Sequence, residues 1–258
     1  MVKKNFKYIY GPVSSWRLGS SLGIDPISGK GKICTFDCIY CQLGKTAILT
    51  NERKIFVPAT EIIKELDLLP TVKIDYITFS GRGEPTLAKN LGQMIKAIKQ
   101  NRKEKIAILT NSSLLDKYEV KEDLTLADFV MVKIDAPSQK IFEKVNRPLV
   151  TMKFDTILRA IDNFKHIFKG KLALQIMFIE ENKEYASAIA QITKEIKPDE
   201  VQVNTPLRPC AVKPLPEEEL NDIKGCFSSL NVISVYEASR KDVKPISNKN
   251  TLARRGKI

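Results

Sequence analysis

Short apolar runs rich in Ile and Val alternate with longer amphipathic stretches along the 258 residues of this chain. Runs of this length predict buried β-strands. They lie at Leu18–Ile24, Tyr76–Ser80, Ile106–Thr110, Phe129–Ile134, Leu172–Phe178, Val201–Val203 and, more weakly, Val232–Val235. Apolar residues spaced three and four apart predict helices at Ala59–Leu69, Leu87–Gln100, Phe154–Phe168, Lys183–Ile196 and Pro216–Leu230. Strands that alternate with helices predict an α/β fold with a parallel sheet.

Polar residues follow four of the predicted strands where each strand ends, namely Ser80, Asn111, Asp135 and Asn204. Taken singly, these are also residue types that cap a following helix. Four together predict one shared rim, because ligand sites in doubly wound sheets and in barrels both lie at the carboxyl ends of the strands. The periodicity alone leaves the choice between those two architectures open.

Three of the five cysteines, Cys34, Cys38 and Cys41, lie within eight positions of the stretch CTFDCIYCQLG. A structural zinc site has four ligands, so a zinc site here needs a fourth from elsewhere. His166 and Cys226 occupy helical positions, whereas Cys210 follows a proline-rich turn and stays a candidate fourth ligand. Three thiolates also suit a [4Fe-4S] cluster whose fourth iron is open to a substrate or cofactor.

The spacing C-x3-C-x2-C, with the aromatic Tyr40 directly before the last cysteine, resembles the cluster motif of the radical S-adenosylmethionine (radical SAM) superfamily. The resemblance implies that the three cysteines hold a [4Fe-4S] cluster and that S-adenosylmethionine (SAM) binds its open iron. It implies reductive cleavage of SAM to methionine and a 5′-deoxyadenosyl radical that abstracts hydrogen from a substrate. It also implies a one-electron donor of the flavodoxin or ferredoxin type, and a partial (β/α)6 TIM-like barrel as the fold.

A second stretch, ITFSGRGEPTL at 77–87, follows a predicted strand and opens a helix. It resembles the glycine-rich motif that binds the SAM amino group in that superfamily. Gly81 and Gly83 let the backbone approach a ligand closely, and Glu84 can pair with an ammonium group. A strand-to-helix turn with an acidic residue is the alternative explanation. We expect Tyr40, Gly81, Gly83 and Glu84 to bind SAM.

Further stretches narrow the resemblance to wyosine-type tRNA-modifying iron–sulfur oxidoreductases and their uncharacterised short relatives. They are SWRLGSSLGI, ILTNSSLL, VKIDAPSQKIFEKVNRP and VQVNTPLRP. By this resemblance Asn111, Asp135 and Asn204 lie on the rim that faces SAM or substrate. Lys133 and Asp135 alternate along a strand and share a face, so both are candidate catalytic residues if that face is the barrel interior. A lysine on an exposed strand face is the alternative for Lys133.

One departure from that branch concerns a second cluster, which wyosine synthases bind through cysteines that precede the SAM motif. Residues 1–33 contain no cysteine, so the specific wyosine reaction does not follow from the resemblance. tRNA is the leading expected substrate, and a peptide or a small metabolite is the alternative. The competing hypothesis of a different class is a non-catalytic RNA adaptor in which the cysteines fold a zinc knuckle.

The net charge of +12, from 42 Lys and Arg against 30 Asp and Glu, favours phosphate-rich partners such as RNA. The basic residues are scattered along the chain, so a solvated lysine-rich surface explains the charge equally well. No stretch approaches the ~18 apolar residues of a membrane span, and the N-terminus lacks the features of a signal peptide. We therefore expect a cytoplasmic protein without a membrane partner. The sequence gives no expectation for the oligomeric state.

The absence of a long linker or a repeat predicts a single domain over 1–258. Its core is expected at about 15–210, followed by a C-terminal extension at 211–258. This length is ample for one large α/β core.

Overall fold

The computed structural model describes residues 6–255, so the two ends of the expected 1–258 domain lie outside the described residues. The described residues contain ten strands. They are β1 (Ile9–Ser15), β2 (Gly19–Ile24), β3 (Ile33–Cys34), β4 (Ile48–Leu49), β5 (Tyr76–Phe79), β6 (Lys105–Leu109), β7 (Phe129–Lys133), β8 (Lys171–Met177), β9 (Glu200–Asn204) and β10 (Val232–Ser234). Eight form one sheet in the order β1-β2-β5-β6-β7-β8-β9-β10, and β3 pairs with β4 separately. From β2 to β10 all neighbours in the large sheet are parallel, whereas β1 joins β2 as an antiparallel edge hairpin.

All seven strands predicted from apolar runs are confirmed, each with ends within one residue of the expected position. The edge strand β1 was not predicted, because Gly11 and Pro12 interrupt its pattern. The register of β1 against β2 is irregular between Tyr10 and Val13, around that pair. Proline lacks the N–H that a central strand needs, and it is tolerated at such an edge or bulge.

Eight α-helices lie within residues 6–255: α1 (Ala59–Asp67), α2 (Leu91–Asn101), α3 (Tyr118–Thr125), α4 (Gln139–Asn146), α5 (Phe154–Ile167), α6 (Ala186–Ile196), α7 (Glu217–Gly225) and α8 (Asn248–Arg255). The five predicted helices are confirmed, although the expected starts Leu87 and Lys183 lie in separate 3₁₀ turns. At the first turn, Lys54 exchanges main-chain hydrogen bonds with Leu87 and Lys89, which keeps Ala88 extended and delays α2. The last of the predicted helices, expected to reach Leu230, ends at Gly225. In the described part of the chain, no helix is long and apolar enough to cross a bilayer.

The two faces of the large sheet pack into separate apolar clusters. The larger cluster joins alternate strand residues such as Ile106 and Ile108 to buried helix residues such as Met94. The smaller cluster lies on the opposite face and consists of Leu18, Ala107, Phe129, Met131 and Ala173. Four of its members come from the neighbouring strands β6, β7 and β8, whereas Leu18 lies in the β1–β2 hairpin on the other side of β5, so the sheet must curl around this face for Leu18 to reach them. The expected partial barrel is therefore confirmed, and the smaller cluster forms its floor.

Above this floor the inner face of the barrel is polar. Ser21 Oγ and Thr78 Oγ1 share a hydrogen bond of 2.7 Å between neighbouring strands, and Gln175 and Gln202 are buried on the same face. Apolar residues thus fill the amino end of the half-barrel, and polar residues occupy its carboxyl end, where ligands bind in parallel α/β folds.

Residues 235–255, which we call the closing segment, connect the two edges of the sheet. The segment begins directly after β10, and its helix α8 packs on β1 at the opposite edge. Ile246 N–H donates to Gly11 O at 2.7 Å, and Gly11 N–H donates to Thr251 Oγ1 at 3.1 Å. The last part of the expected C-terminal extension is therefore a wall across the open side of the half-barrel.

Candidate active site

The cysteine loop, residues 33–44, lies against the glycine-rich loop 81–84 that follows β5. Ile33 N–H donates to Arg82 O at 3.0 Å, and Glu84 N–H donates to Ile33 O at 3.2 Å. Gly83 is required at this contact, because a Cβ there would lie 1.6 Å from the carbonyl oxygen of Ile33. The two loops singled out in the sequence are therefore joined through their backbones.

The other side of the cysteine loop lies against the end of α4. Asp37 N–H donates to Asn146 O at 3.1 Å, and Ile39 N–H donates to Val145 O at 3.0 Å. Cys41 N–H donates to the carbonyl oxygen of Cys38 at 3.0 Å, which closes the turn that carries the last two cysteines. Main-chain contacts thus fix the loop on both sides.

Side-chain amides donate to two of the three cysteine sulfurs. Asn111 Nδ2 lies 3.6 Å from Cys34 Sγ, and Asn146 Nδ2 lies 3.6 Å from Cys38 Sγ. Hydrogen bonds to sulfur hold and tune the thiolates that ligate iron–sulfur clusters. Three cysteines with two such amide donors therefore fit a cluster of this kind. Asn146 was not predicted as a site residue, although it stands in the quoted stretch that ends VNRP.

The cysteine thiols of the loop need additional positive charge nearby in order to ionise. Burial raises the pKa of Cys34 to about 12 and the pKa of Cys38 to about 11, which opposes the ionisation of both thiols in the bare protein. Burial lowers the pKa of the Lys32 ammonium, but the Cys41 and Cys34 sulfurs outweigh it, and the net pKa is raised. Bound iron would supply the further charge that turns these thiols into thiolates.

Among residues 6–255, no group of three His, Cys, Asp or Glu side chains is arranged to hold a single metal ion. A cubane cluster differs from a single ion, because each thiolate ligates its own iron.

Glu84 ties the end of β5 to the end of β6. Its buried Oε1 accepts from Thr86 N–H at 3.1 Å, from Thr86 Oγ1 at 2.7 Å and from Thr110 Oγ1 at 2.6 Å. Its Oε2 accepts one bond from the chain, from Asn111 N–H at 2.7 Å. Burial raises the pKa of this carboxyl group against the effect of these donors. Because a carboxylate oxygen has two lone pairs, Oε2 retains capacity for one more donor.

Asp135, which follows β7, is a second buried carboxylate that accepts hydrogen bonds from several elements. Oδ1 accepts from Met177 N–H at 2.7 Å and forms an ion pair of 3.0 Å with Lys133 Nζ. Oδ2 accepts from Asn146 Nδ2 at 2.7 Å and from the hydroxyl of Tyr40 in a short hydrogen bond. Lys133 Nζ also lies 4.8 Å from the centre of the Tyr40 ring. The expected shared face of Lys133 and Asp135 is thus observed, and it meets the cysteine loop through Tyr40.

A cavity of about 620 Å³ lies inside the half-barrel beside these loops. Gln42 and Leu43 of the cysteine loop line it, together with Gly81 and Asn204 from the expected site residues. The other expected site residues are not among the lining residues of this cavity: Cys34, Cys38, Tyr40, Cys41, Gly83, Glu84, Asn111, Lys133 and Asp135. Its volume falls in the usual range for small-molecule sites, roughly 300–1,000 Å³.

The other candidate ligands make contacts elsewhere. Cys210 Sγ contacts Val212 O at 3.2 Å, and Cys226 Sγ contacts Ser187 Oγ at 3.5 Å. His166 is exposed on α5, 3.9 Å from Asp162. Within the described residues, none of the three forms a hydrogen bond or ion pair with the cysteine loop.

Comparison with known proteins identifies the family. A family model for the radical SAM superfamily matches residues 30–192, which include both loops and most of the parallel strands. The chain therefore belongs to the radical SAM superfamily.

Individual relatives agree with this placement. The UPF0026 protein slr1464 of Synechocystis sp. is 42% identical over 214 residues, covering 83% of this chain and 79% of the relative. Streptococcus suis SuiB bound to S-adenosylmethionine matches with a TM-score of 0.62 and 17% identity, over 79% of this chain and 48% of SuiB. TYW1 with a lysine–pyruvate adduct bound matches with a TM-score of 0.63 and 14% identity, over 82% of this chain and 74% of TYW1. The chain thus spans about half of SuiB, and these two structures support the fold alone.

The joint between the two loops can be tested with Gly83→Ala. A Cβ at residue 83 collides with the Ile33 carbonyl, so we expect the free energy of unfolding to fall by more than ~3 kcal/mol. Gly44→Ala is the matched control: Gly44 has φ +79°, but a Cβ there meets no atom within 4 Å. That control should cost only about 1 kcal/mol. Urea unfolding followed by circular dichroism measures both, and equal losses would contradict the role of Gly83.

Proposed function

We propose that this protein binds a [4Fe-4S] cluster through Cys34, Cys38 and Cys41 and reductively cleaves SAM. The observation that carries the proposal is the joined pair of loops. The cysteine loop is fixed by main-chain bonds to the glycine-rich loop, and both loops border the cavity at the carboxyl ends of the strands. When bound, the cluster would donate one electron to the sulfonium of SAM, giving methionine and a 5′-deoxyadenosyl radical that abstracts hydrogen from the substrate.

The residues around the cysteines hold the ligands in place. The Asn111 and Asn146 amides donate to Cys34 and Cys38, which restricts where those sulfurs can lie. The buried ammonium group of Lys32 offsets part of the negative charge that three thiolates bring into the loop.

The glycine-rich loop is the proposed site for the amino group of SAM. Gly81 lines the cavity, and its φ of +119° is compatible with glycine but strained for other residues. Three donors saturate Oε1 of Glu84 and fix the plane of the carboxylate, while Oε2 keeps a free acceptor position for an ammonium group.

Tyr40, Lys133 and Asp135 form the other side of the proposed site. Asp135 receives hydrogen bonds from β8, from α4 and from Tyr40, so it positions the cysteine loop relative to three elements. We propose that the Lys133 ammonium, held by Asp135, supplies positive charge near the SAM carboxylate or the substrate. Asn204, at the end of β9, lines the same cavity, and its Oδ1 accepts from Thr205 N–H at 2.9 Å.

We propose two candidate substrate classes for this site: a tRNA, as in the wyosine-type branch, and a peptide or small metabolite. The net charge of +12 and the stretches quoted above support tRNA; likeness to TYW1 at 14% identity adds only the fold. A tRNA substrate should bind selectively over unrelated RNA and accelerate 5′-deoxyadenosine formation. A flavodoxin- or ferredoxin-type protein remains the proposed electron donor.

The cluster can be tested by anaerobic reconstitution and by iron and sulfide analysis. The wild type should bind about four iron and four sulfide per chain. Cys34→Ser, Cys38→Ser and Cys41→Ser should each lose most of this iron, because each removes one of three ligands. Cys226→Ser is the matched control and should retain it. Loss of the cluster in Cys210→Ser would indicate a fourth protein ligand and contradict the open iron.

The amino-group site can be tested with Glu84→Gln, which replaces one carboxylate oxygen by a donor. We expect SAM to bind at least tenfold more weakly, since a charge-assisted hydrogen bond is worth ~1.5–3 kcal/mol. Thr110→Val is the control, because it removes a bond to Oε1 and leaves Oε2 intact; it should change SAM affinity by less than about threefold. Equilibrium SAM binding and dithionite-driven 5′-deoxyadenosine formation provide the measurements. Equal SAM affinity in wild type and Glu84→Gln would show that Glu84 only connects the ends of β5 and β6 and does not bind SAM.

A further inference from the structure

The cavity inside the half-barrel is lined by arginine to an unusual degree. The sequence contains 10 arginines and 32 lysines, which together make the 42 basic residues. Five of those arginines line the cavity: Arg17, Arg208, Arg240, Arg254 and Arg255. Among the described residues, no lysine, aspartate or glutamate belongs to the lining. The cavity lining therefore carries five arginine side chains and no acidic one, and among residues 6–255 only Arg254 of these five pairs with a carboxylate, that of Asp25 at 3.5 Å.

Four of these guanidinium groups have no carboxylate partner. Within residues 6–255, no Asp or Glu oxygen lies within 4.0 Å of Arg17, Arg208, Arg240 or Arg255. Elsewhere in the molecule, Arg53 pairs with Asp123 at 2.6 Å. Unpaired charges in a partly buried site are costly unless a ligand completes them.

Neutral groups hold the arginines in place. Arg17 lies 4.2 Å from the centre of the Trp16 ring, and its Nε donates to Gln202 Oε1 at 2.9 Å. Arg208 donates to the main-chain oxygen of Arg255. These contacts orient the guanidinium groups and leave their charge uncompensated.

The pKa values of Arg17 and Arg208 reflect both burial and the closeness of other arginines. Burial, with Arg208 and Arg255 next in size, lowers the pKa of Arg17 to about 9. Burial and then Arg255 lower the pKa of Arg208 to about 10. The same three arginines thus repel one another in the free protein, and an anion placed between them would relieve that repulsion.

The five arginines come from three distant parts of the chain that the fold brings together. Arg17 stands in the β1–β2 hairpin, Arg208 follows β9, and Arg240, Arg254 and Arg255 belong to the closing segment. Gln42 and Leu43 of the cysteine loop line the same cavity. A ligand bound by the arginines would therefore lie beside the proposed cluster.

We propose that this cavity binds a small polyanionic substrate, a molecule bearing two or more phosphate or carboxylate groups. That the bound anion is the substrate, rather than another ligand, rests on the proposed function. Arginine suits such groups, because its planar fork donates two parallel hydrogen bonds to a phosphate or carboxylate. A concave cavity of about 620 Å³ has the size of a small-molecule site.

The test measures anion binding to the full chain by isothermal titration calorimetry at fixed ionic strength. The probes are inorganic triphosphate, ATP, GTP, citrate and total tRNA, each with and without saturating SAM. We expect triphosphate, a nucleotide or citrate to bind, and Arg208→Gln and Arg17→Gln to weaken that binding about tenfold or more. Arg159→Gln removes one exposed positive charge from α5 and is the matched control; it should change affinity less than about twofold.

The ranking of the probes separates the two anion chemistries. Tighter binding of triphosphate or a nucleotide assigns phosphate, and tighter binding of citrate assigns carboxylate. Equal weakening in Arg159→Gln would mean that general surface charge attracts the anion, and would overturn the proposal. The absence of binding by all the small anions would overturn it as well, as would selective tRNA binding that alone responds to Arg208→Gln.

Competition with SAM and SAM cleavage complete the test. Simultaneous binding of SAM and the anion supports a separate substrate site, whereas mutual exclusion assigns the arginines to SAM and overturns the proposal. Anion binding without any 5′-deoxyadenosine formation in the reconstituted protein would reject the proposed function but leave the anion site standing. SAM cleavage without anion binding would reject the anion site alone.

Discussion

The main-chain pairing of Ile33 with residues 82–84 is the contact on which the whole site depends. Loops are normally the more mobile part of a fold, yet these two bonds attach the cysteine loop to the end of β5, a strand paired on both sides. Only a residue without a side chain fits at position 83, since the Ile33 carbonyl occupies the space of a Cβ. The cysteine loop is therefore tied to the sheet through backbone geometry, in addition to the side-chain contacts of Tyr40.

Two buried carboxylates extend this rigidity around the rim. Glu84 joins the ends of β5 and β6, and Asp135 joins the end of β7 to β8, α4 and the cysteine loop. A buried carboxylate is tolerated only when donors surround it, and each of these has several. The same residues that resemble cofactor ligands in the sequence thus act in the fold as braces, with one free acceptor position on Glu84 left for a ligand.

The sequence predicted the parallel strands well and the charged cavity not at all, for physical reasons. Central parallel strands are buried on both faces and read as continuous apolar runs such as Ile106–Leu109, whereas β1 lies at an edge and contains Gly11 and Pro12. Cys34, Cys38 and Cys41 are close in sequence and were found by spacing. Arg17 and Arg208 are about 190 residues apart along the chain, and Arg208 and Arg255 are 47 residues apart. In the sequence these arginines therefore belong to the scattered positive charge, and only the fold brings them together. Asn146 was missed for the same reason, since it lies 108 residues from Cys38 along the chain.

The arrangement of the arginines also links ligand binding to the closure of the half-barrel. Arg240, Arg254 and Arg255 enter the cavity on the closing segment, while Arg17 and Arg208 approach it from the barrel. Repulsion among Arg17, Arg208, Arg240 and Arg255 opposes the packing of that segment. The ion pair of Arg254 with Asp25 at 3.5 Å and the hydrogen bonds of Ile246 and Thr251 with Gly11 favour it. An anion bound between the arginines of the closing segment and those of the barrel would replace repulsion with attraction. By linkage, the free energy by which the anion stabilises the packed segment equals the free energy by which the packed segment strengthens anion binding. The charges that destabilise the free protein would therefore favour closure once the proposed anion is bound.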